Sequence, residues 1–318
     1  MLTILSSPKP FVDEAARIQL NALRSWRAIH PDVEIFIFGA PTGAVEAAAE
    51  VGAVIVPEIE SSASGAPSFN AMTRHAAQHG RHDLQIYVNG DIVLDETVYR
   101  AMETARRRFG RFLLVGERMD LARGATIDVQ TQNWQHGLDA LALTGKLAAH
   151  GPTGIDYFGF ARGEWADLPP VFMGRAMCDL ALLSYCFKHK IPVIDGTLAV
   201  VAVHQYHDYQ HVAGGKDQVF HGEDRMLMTQ AHGLKRSLPT IADADWRISA
   251  WGKIEPDRHR RRFFRRVELQ VRYGLGLGRI ALLFRAVQYL PNGNLNPIGF
   301  STAMILKAWN STKTFQDN

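Results

Sequence analysis

Apolar positions alternate between two periods along the first hundred residues. Leu2–Ser6 is a short apolar run stopped by Ser7-Pro8-Lys9-Pro10, the signature of a strand running into a loop. From Asp13 onward, Ala16, Leu20, Leu23 and Trp26 recur at helical spacing, which predicts an amphipathic helix over 13–29. Strand patterns return at Val33–Phe38, Ala53–Val56 and Leu84–Val88, with helical stretches at 43–51 and 69–79 between them. The Ser-, Gly- and Pro-bearing stretch 58–68 reads as a loop. A helix over 96–108 and a strand at Phe112–Val115 continue the series. Alternation of this kind predicts an α/β fold with a mostly parallel, twisted sheet and helices on both faces. Residues 1–94 form its nucleotide-binding type of half.

Beyond Val115 the period weakens. Residues 116–150 carry many polar groups, among them Glu117, Arg118, Asp120 and Asp128, and are expected to be a mobile or substrate-covering insertion. Gly154–Phe160 reads as a strand and Met177–His189 as a helix. Ile191–Ile194 and Leu198–Val203 are further strand runs, the second ending at His204. The expected division is a domain over 1–240 and a basic helical C-terminal segment over 241–318.

With 318 residues, 47% hydrophobic and 21% charged, the chain has material for a large core and is not a disordered sequence. The formal charge of +3 is unevenly spread: residues 257–290 hold nine Arg against Asp257 and Glu268, so the remainder is net acidic. Phe263 and Phe264 interleave with that basic run, and Ile280, Leu283 and Phe284 supply an apolar side. This combination suits an anionic membrane surface; a solvated helical subdomain is the plain alternative. Nucleic acid is not expected, since no recognised RNA or DNA module accompanies the patch. Cys178 and Cys186 lie about 12 Å apart if helical, too far for a disulfide, as expected of a reducing compartment. No apolar run reaches eighteen residues and the N-terminus lacks a signal-peptide pattern. The expectation is a cytoplasmic protein with peripheral attachment to the inner face of the plasma membrane.

The chemistry concentrates where Leu84–Val88 delivers Asn89-Gly90-Asp91. On a continuing strand, positions 89 and 91 share a face, with no side chain at Gly90 to block a ligand. Oxygen ligands at the carboxyl end of a buried strand suit a hard divalent cation on a diphosphate; a simple Asn-Gly-Asp turn is the alternative. His204, His207 and His211, with Asp208 among them, would line one face of a helix as a zinc site. They follow a strand and precede Gly214-Gly215, so a loop is expected instead. Asp156, Tyr157 and Arg162 are candidates for lining an acceptor pocket. Glu223-Asp224 is a second carboxylate pair, or a helix N-terminus. The glycines between Gly274 and Arg279 have the wrong spacing and no preceding strand for a dinucleotide fingerprint.

This order of features resembles the GT-A fold glycosyltransferases, which use nucleotide-diphospho-sugars. Asn89-Gly90-Asp91 is similar to their Asp-x-Asp metal motif. Gly174-Arg175-Ala176-Met177-Cys178-Asp179, the strand after it and His204 are similar to the acceptor-side helix, strand and terminal His of inverting members. Gly174-Arg175 through Asp179, together with His204–Tyr209, also resembles uncharacterised members encoded with bacterial surface polysaccharides. The resemblance implies a nucleotide-sugar donor, a glycan or lipid-linked acceptor, and Mn²⁺ or Mg²⁺ held by Asp91 and His204. It places Asn89 and Asp91 on the donor side, Asp179 as acceptor base with Glu223 its rival, and Asp156, Tyr157, Arg175 and His207 on the substrates. Two departures stand out: Asn89 replaces the first Asp, and no Glu-Asp pair precedes the helix. They leave open a membrane-associated scaffold without catalysis. Sugar-1-phosphate nucleotidyl transfer is the other alternative, although the loop after the first strand lacks the glycines of that class.

Overall fold

The computed structural model describes residues 1–207, 219–234, 238–256, 267, 268, 270, 271, 275, 277, 280, 283 and 302–313. Strand β1 (Leu2–Ser6) lies inside the main sheet, paired in parallel with β2 (Glu34–Phe38) on one side and β4 (Leu84–Val88) on the other. The short β3 (Val54–Val56) extends the edge beyond β2, again in parallel. All three of β1, β2 and β4 are buried along their whole length because both sheet faces are covered. Side chains alternate between the faces. Leu2, Ile4, Ile86 and Val88 meet helices α1 (Asp13–Ile29), α2 (Ala44–Val51) and α4 (Thr97–Arg108). Leu5, Phe36, Phe38 and Tyr87 meet α3 (Phe69–His79) and α6 (Cys178–His189) on the opposite face.

Five more strands complete this nine-stranded sheet: β6 (Leu113–Val115), β9 (Tyr157–Ala161), β10 (Val193–Asp195), β12 (Trp246–Ile248) and β13 (Ile254–Pro256). Its order is β13-β12-β10-β6-β9-β4-β1-β2-β3. Strand β9 runs antiparallel between β4 and β6, and β13 antiparallel at the edge, while the other pairings are parallel. The expected architecture, a mostly parallel α/β sheet with helices on both faces, is the one observed. Residues 241–256 continue this sheet, so the helical segment expected from 241 does not begin there. Most of 257–290, and with it the basic helix read from the sequence, lies outside the described residues. No helix among the described residues is long and apolar enough to cross a membrane.

A second sheet of four short strands has the order β5 (Ile92–Leu94), β11 (Ala202–His204), β7 (Met119–Leu121), β8 (Leu147–Ala149). Residues 116–150 are therefore not a loose insertion. They supply β7, β8 and helix α5 (Gly137–Leu143), and their apolar residues Met119, Leu121 and Leu147 join a third core with Val93 and Val203. Helix α8 (Thr302–Lys313) closes that core through Ile305, Leu306 and Trp309. Helix α1 fixes β5 in place: the fully buried Trp26 donates from Nε1 to the Ile92 carbonyl at 2.8 Å, and Ser25 Oγ accepts from Leu94 N at 3.2 Å. The apolar run expected as a strand from 198 pairs only over 202–204, in this second sheet.

Candidate active site where the chain changes sheets

Strand β4 ends at Val88 and β5 starts at Ile92, so Asn89-Gly90-Asp91 is the turn by which the chain leaves one sheet for the other. Ile92 N donates to the Asn89 carbonyl at 3.1 Å and closes that turn. The two polar side chains consequently do not share a strand face, as their alternation suggested. Asn89 turns to Asp156: its amide donates to the Asp156 carboxylate, and its backbone N to the Asp156 carbonyl at 3.0 Å. Asp91 turns the other way, to His207 at 2.8 Å and to Lys9 at 3.5 Å. A Cβ at Gly90 would stand 3.1 Å from Gln19 Oε1 and 3.4 Å from Pro8 Cα. The missing side chain thus lets the loop after β1 settle against the turn.

That loop is clamped. The buried Gln19 of α1 accepts from Lys9 N at 2.7 Å and donates to the Lys9 carbonyl at 3.0 Å. Lys9 Nζ is thereby aimed at the site, 3.1 Å from His207 Nε2. Gln205 clamps the other flank. Its backbone N and side-chain amide both donate to the Asp91 carbonyl, at 3.2 and 3.3 Å, and its Oε1 accepts from Asn21 at 2.9 Å.

One ligand atom each from Asp91, His204 and His207 fall within 4.8 Å of one another. Asp91 is 7% exposed, and its Oδ1 is buried without a hydrogen-bond partner. Burial alone would raise this carboxyl. The His207 hydrogen bond and the charges of His204 and Lys9 outweigh it and hold the group well below the usual carboxylate range. A buried, ionised carboxylate oxygen without a donor, beside two imidazoles, is a donor set that fits a divalent cation, and mixed oxygen and imidazole ligands suit Mn²⁺ better than Mg²⁺. His207, expected from the sequence on the substrate side, stands in this group with Asp91 and His204.

Behind His204 lies Asp120, its register partner on β7. Asp120 faces His204 Nδ1 at 3.4 Å, His150 Nδ1 at 2.6 Å and Arg118 Nε at 2.8 Å. Burial opposes ionisation here too, but those two imidazoles and the guanidinium hold its carboxyl below the ordinary range. A carboxylate behind an imidazole orients the ring for whatever its other edge binds. Arg118 also pairs with Asp156; although burial works against its charge, the two carboxylates keep it firmly protonated.

Asp179 is the second residue of α6 and half-buried. Burial pushes its carboxyl up to about 6; the Leu180 N–H pulls the other way, and the charge on Asp156 adds to the rise. Met177, just before the helix, holds φ at 82°, a left-handed backbone that is strained for a non-glycine residue.

The other candidates read from the sequence take these places in the fold. Tyr157 is fully buried in the core, and its hydroxyl lies so close to Gly116 that a Cβ there would stand 1.9 Å away; the neighbouring Asp156 is the polar group at the site. Arg162 instead donates to the carbonyls of Gly80 and His82. Arg175 pairs with the buried Asp224 at 3.2 Å, which also accepts from Ser62 and Ser64. The Glu223-Asp224 pair is thus split at the start of α7 (Glu223–Ala231): Asp224 is locked to Arg175 and the 58–68 loop, while Glu223 is exposed. Neither makes a described contact with the Asp91 group. Asp208 and His211, needed for the zinc face, lie outside the described residues.

Sequence reasoning missed Lys9, Gln19, Gln205, Arg118 and Asp120 as parts of one site. For Lys9 a signal existed: it follows β1, and ligands collect beyond the carboxyl ends of neighbouring parallel strands.

No protein-family model matches the chain, and no curated protein matches it. Among solved structures it is similar to glucosyl-3-phosphoglycerate synthase from Mycobacterium tuberculosis in complex with Mn²⁺, uridine-diphosphate-glucose and phosphoglyceric acid. Identity is 14%, the TM-score 0.42, and the match covers 74% of this chain and 80% of that one. A second structure of the same synthase matches at 13% identity and a TM-score of 0.43, covering 74% and 82%. A structure described as a mycobacterial protein matches at 14% identity and a TM-score of 0.37, covering 64% and 65%.

Proposed function

We propose that this chain is a GT-A type glycosyltransferase that moves a sugar from a nucleotide-diphospho-sugar to a glycan or lipid-linked acceptor. The observation that carries the reading is the buried, unpartnered Oδ1 of Asp91 grouped with His204 and His207 at the carboxyl end of β4. Those three residues hold Mn²⁺ or Mg²⁺, with Asp120 fixing the His204 ring from behind. When bound, the ion supplies a Lewis acid that offsets the charge on the departing diphosphate. Lys9 adds a flexible positive charge for a phosphate oxygen beside it. Asn89 is held by Asp156 and shapes the wall of the donor site, without ligating the cation. Asp179, on the acceptor side at the start of α6, takes the proton of the attacking hydroxyl.

Thermal denaturation with UDP, GDP and their glucose and mannose conjugates, with and without Mn²⁺, tests this. A ligand that binds only the native state at 100 times its Kd adds about 2.7 kcal/mol of stability. The expected outcome is a rise in Tm with at least one nucleotide that requires Mn²⁺. No shift with any of them returns the chain to the non-catalytic scaffold reading.

The nine arginines of 257–290 supply the membrane partner in this proposal. Each contributes about 1 kcal/mol near an anionic surface, screened by salt. Co-sedimentation with phosphatidylserine-containing vesicles, weakening in high salt, is the expected result. Equal pelleting with neutral vesicles, or none with either, removes that partner.

A further inference from the structure

A separate cavity of about 510 Å³ opens where the C-terminal half of α1, the end of β5, the first turn of α4 and segment 129–136 meet. That volume lies within the range of roughly 300–1,000 Å³ found for small-molecule sites. Its lining is unlike that of the Asp91 site. Asp95, 6% exposed, accepts from Thr97 N at 3.0 Å and from Gln135 Nε2 at 3.1 Å. Glu96 and Arg100 pair with each other at 3.7 Å, so the cavity carries no surplus positive charge. Burial, with the neighbouring Glu96 charge, pushes the Asp95 carboxyl up to about 6. Gln130, Gln132 and Asn133 add amides to the polar wall, beside Ser25, Thr131 and His136. Asn133 holds φ at 58° and starts the 3-10 turn that carries Trp134. Trp134 is half-buried: it packs on the third core and also lines the cavity.

Carboxyl and amide groups that offer paired donors and acceptors, an indole face, and an arginine already paired with Glu96 together describe a site for a neutral polyhydroxylated ring. We propose that this cavity is a saccharide-binding subsite, which holds the non-reacting part of a glycan acceptor. The acceptor role rests on the glycosyl-transfer reading; the binding of saccharide does not. The cavity is also wired to the first site. Asn21 donates to the Ile127 carbonyl at 2.8 Å and to Gln205 at 2.9 Å, and accepts from Val129 N at 3.5 Å. One buried amide therefore joins the cavity wall to the residue that grips the Asp91 backbone.

Saturation-transfer NMR on the full chain, without nucleotide or metal, measures binding of maltotriose, cellotriose and triacetylchitotriose at millimolar concentration. The expected result is transfer to at least one of them that is lost in Trp134→Ala, weakened about tenfold or more in Gln135→Ala, and retained in Asp91→Asn. No transfer to any trisaccharide, or transfer unchanged in both cavity variants, overturns the subsite. Transfer lost only in Asp91→Asn places the saccharide at the first site and overturns it equally. Cavity binding in a protein that shows no Tm shift with any nucleotide-sugar leaves the saccharide subsite standing and removes only the transfer reading.

Discussion

Asp91→Asn lowers Mn²⁺-dependent turnover about 10³-fold, a loss of roughly 4 kcal/mol in transition-state stabilisation. The amide keeps the shape of the side chain and removes the charge of a carboxylate that has a buried oxygen without a hydrogen-bond partner. Electron paramagnetic titration of Mn²⁺ should show the same loss as weakened binding, before any substrate is added. Metal-free stability follows a definite sign. The folded pKa of Asp91 is depressed, so its carboxylate stabilises the fold above the ordinary carboxylate range near 4. That contribution is lost as the pH falls from there toward the depressed folded value. The metal-free Asn variant is therefore less stable than the parent at pH 7, and the gap narrows in acid. Unchanged Mn²⁺ affinity in the variant would sink the assignment of Asp91.

How much of this was legible in the sequence depends on the range of each contact. Helix 13–29 and strand 84–88 were read to the residue, because their periods are fixed by burial of one stripe or of both faces. Strands β5, β7, β8 and β11 have three residues each, too few to establish a period of two; β7 and β8 disappeared into a segment read as irregular. Asp91 and His204 were legible as chemistry at strand ends. Their joining by His207 was not, since a turn and a loop more than a hundred residues apart meet only once β11 has paired with β5. Tyr157 shows the opposite failure. A tyrosine beside an acidic residue resembles a sugar contact, but alternation on β9 sends its ring into the core while Asp156 stays at the strand's edge. Glu223-Asp224 looked like a pair because the two are adjacent in sequence; at the start of a helix adjacent residues point in different directions, and Arg175 claims only one of them.

Asp179→Asn cuts turnover by about 10²–10⁴-fold, the usual worth of a general base, with donor affinity little changed. The environment of Asp179 makes the pH profile the sharper test. With its carboxyl pushed up to about 6, the group is a base only above that pH. The parent's kcat/KM should rise about tenfold per pH unit below 6 and flatten above it, and the variant should lose that acidic limb. Stability moves the opposite way to activity. A raised folded pKa means that the native state holds the proton more tightly than the unfolded chain, so stability declines as the pH rises from the ordinary carboxylate value through about 6. Replacing Asp179 with a neutral amide removes that decline, and the variant should be at least as stable as the parent at pH 7. A carboxyl that costs stability when ionised is a pattern common among active-site groups. Glu223→Gln, on an exposed side chain, should change neither rate nor profile. Loss of turnover and of the acidic limb in Glu223→Gln, with Asp179→Asn unaffected, moves the base to α7 and with it the acceptor side of the site.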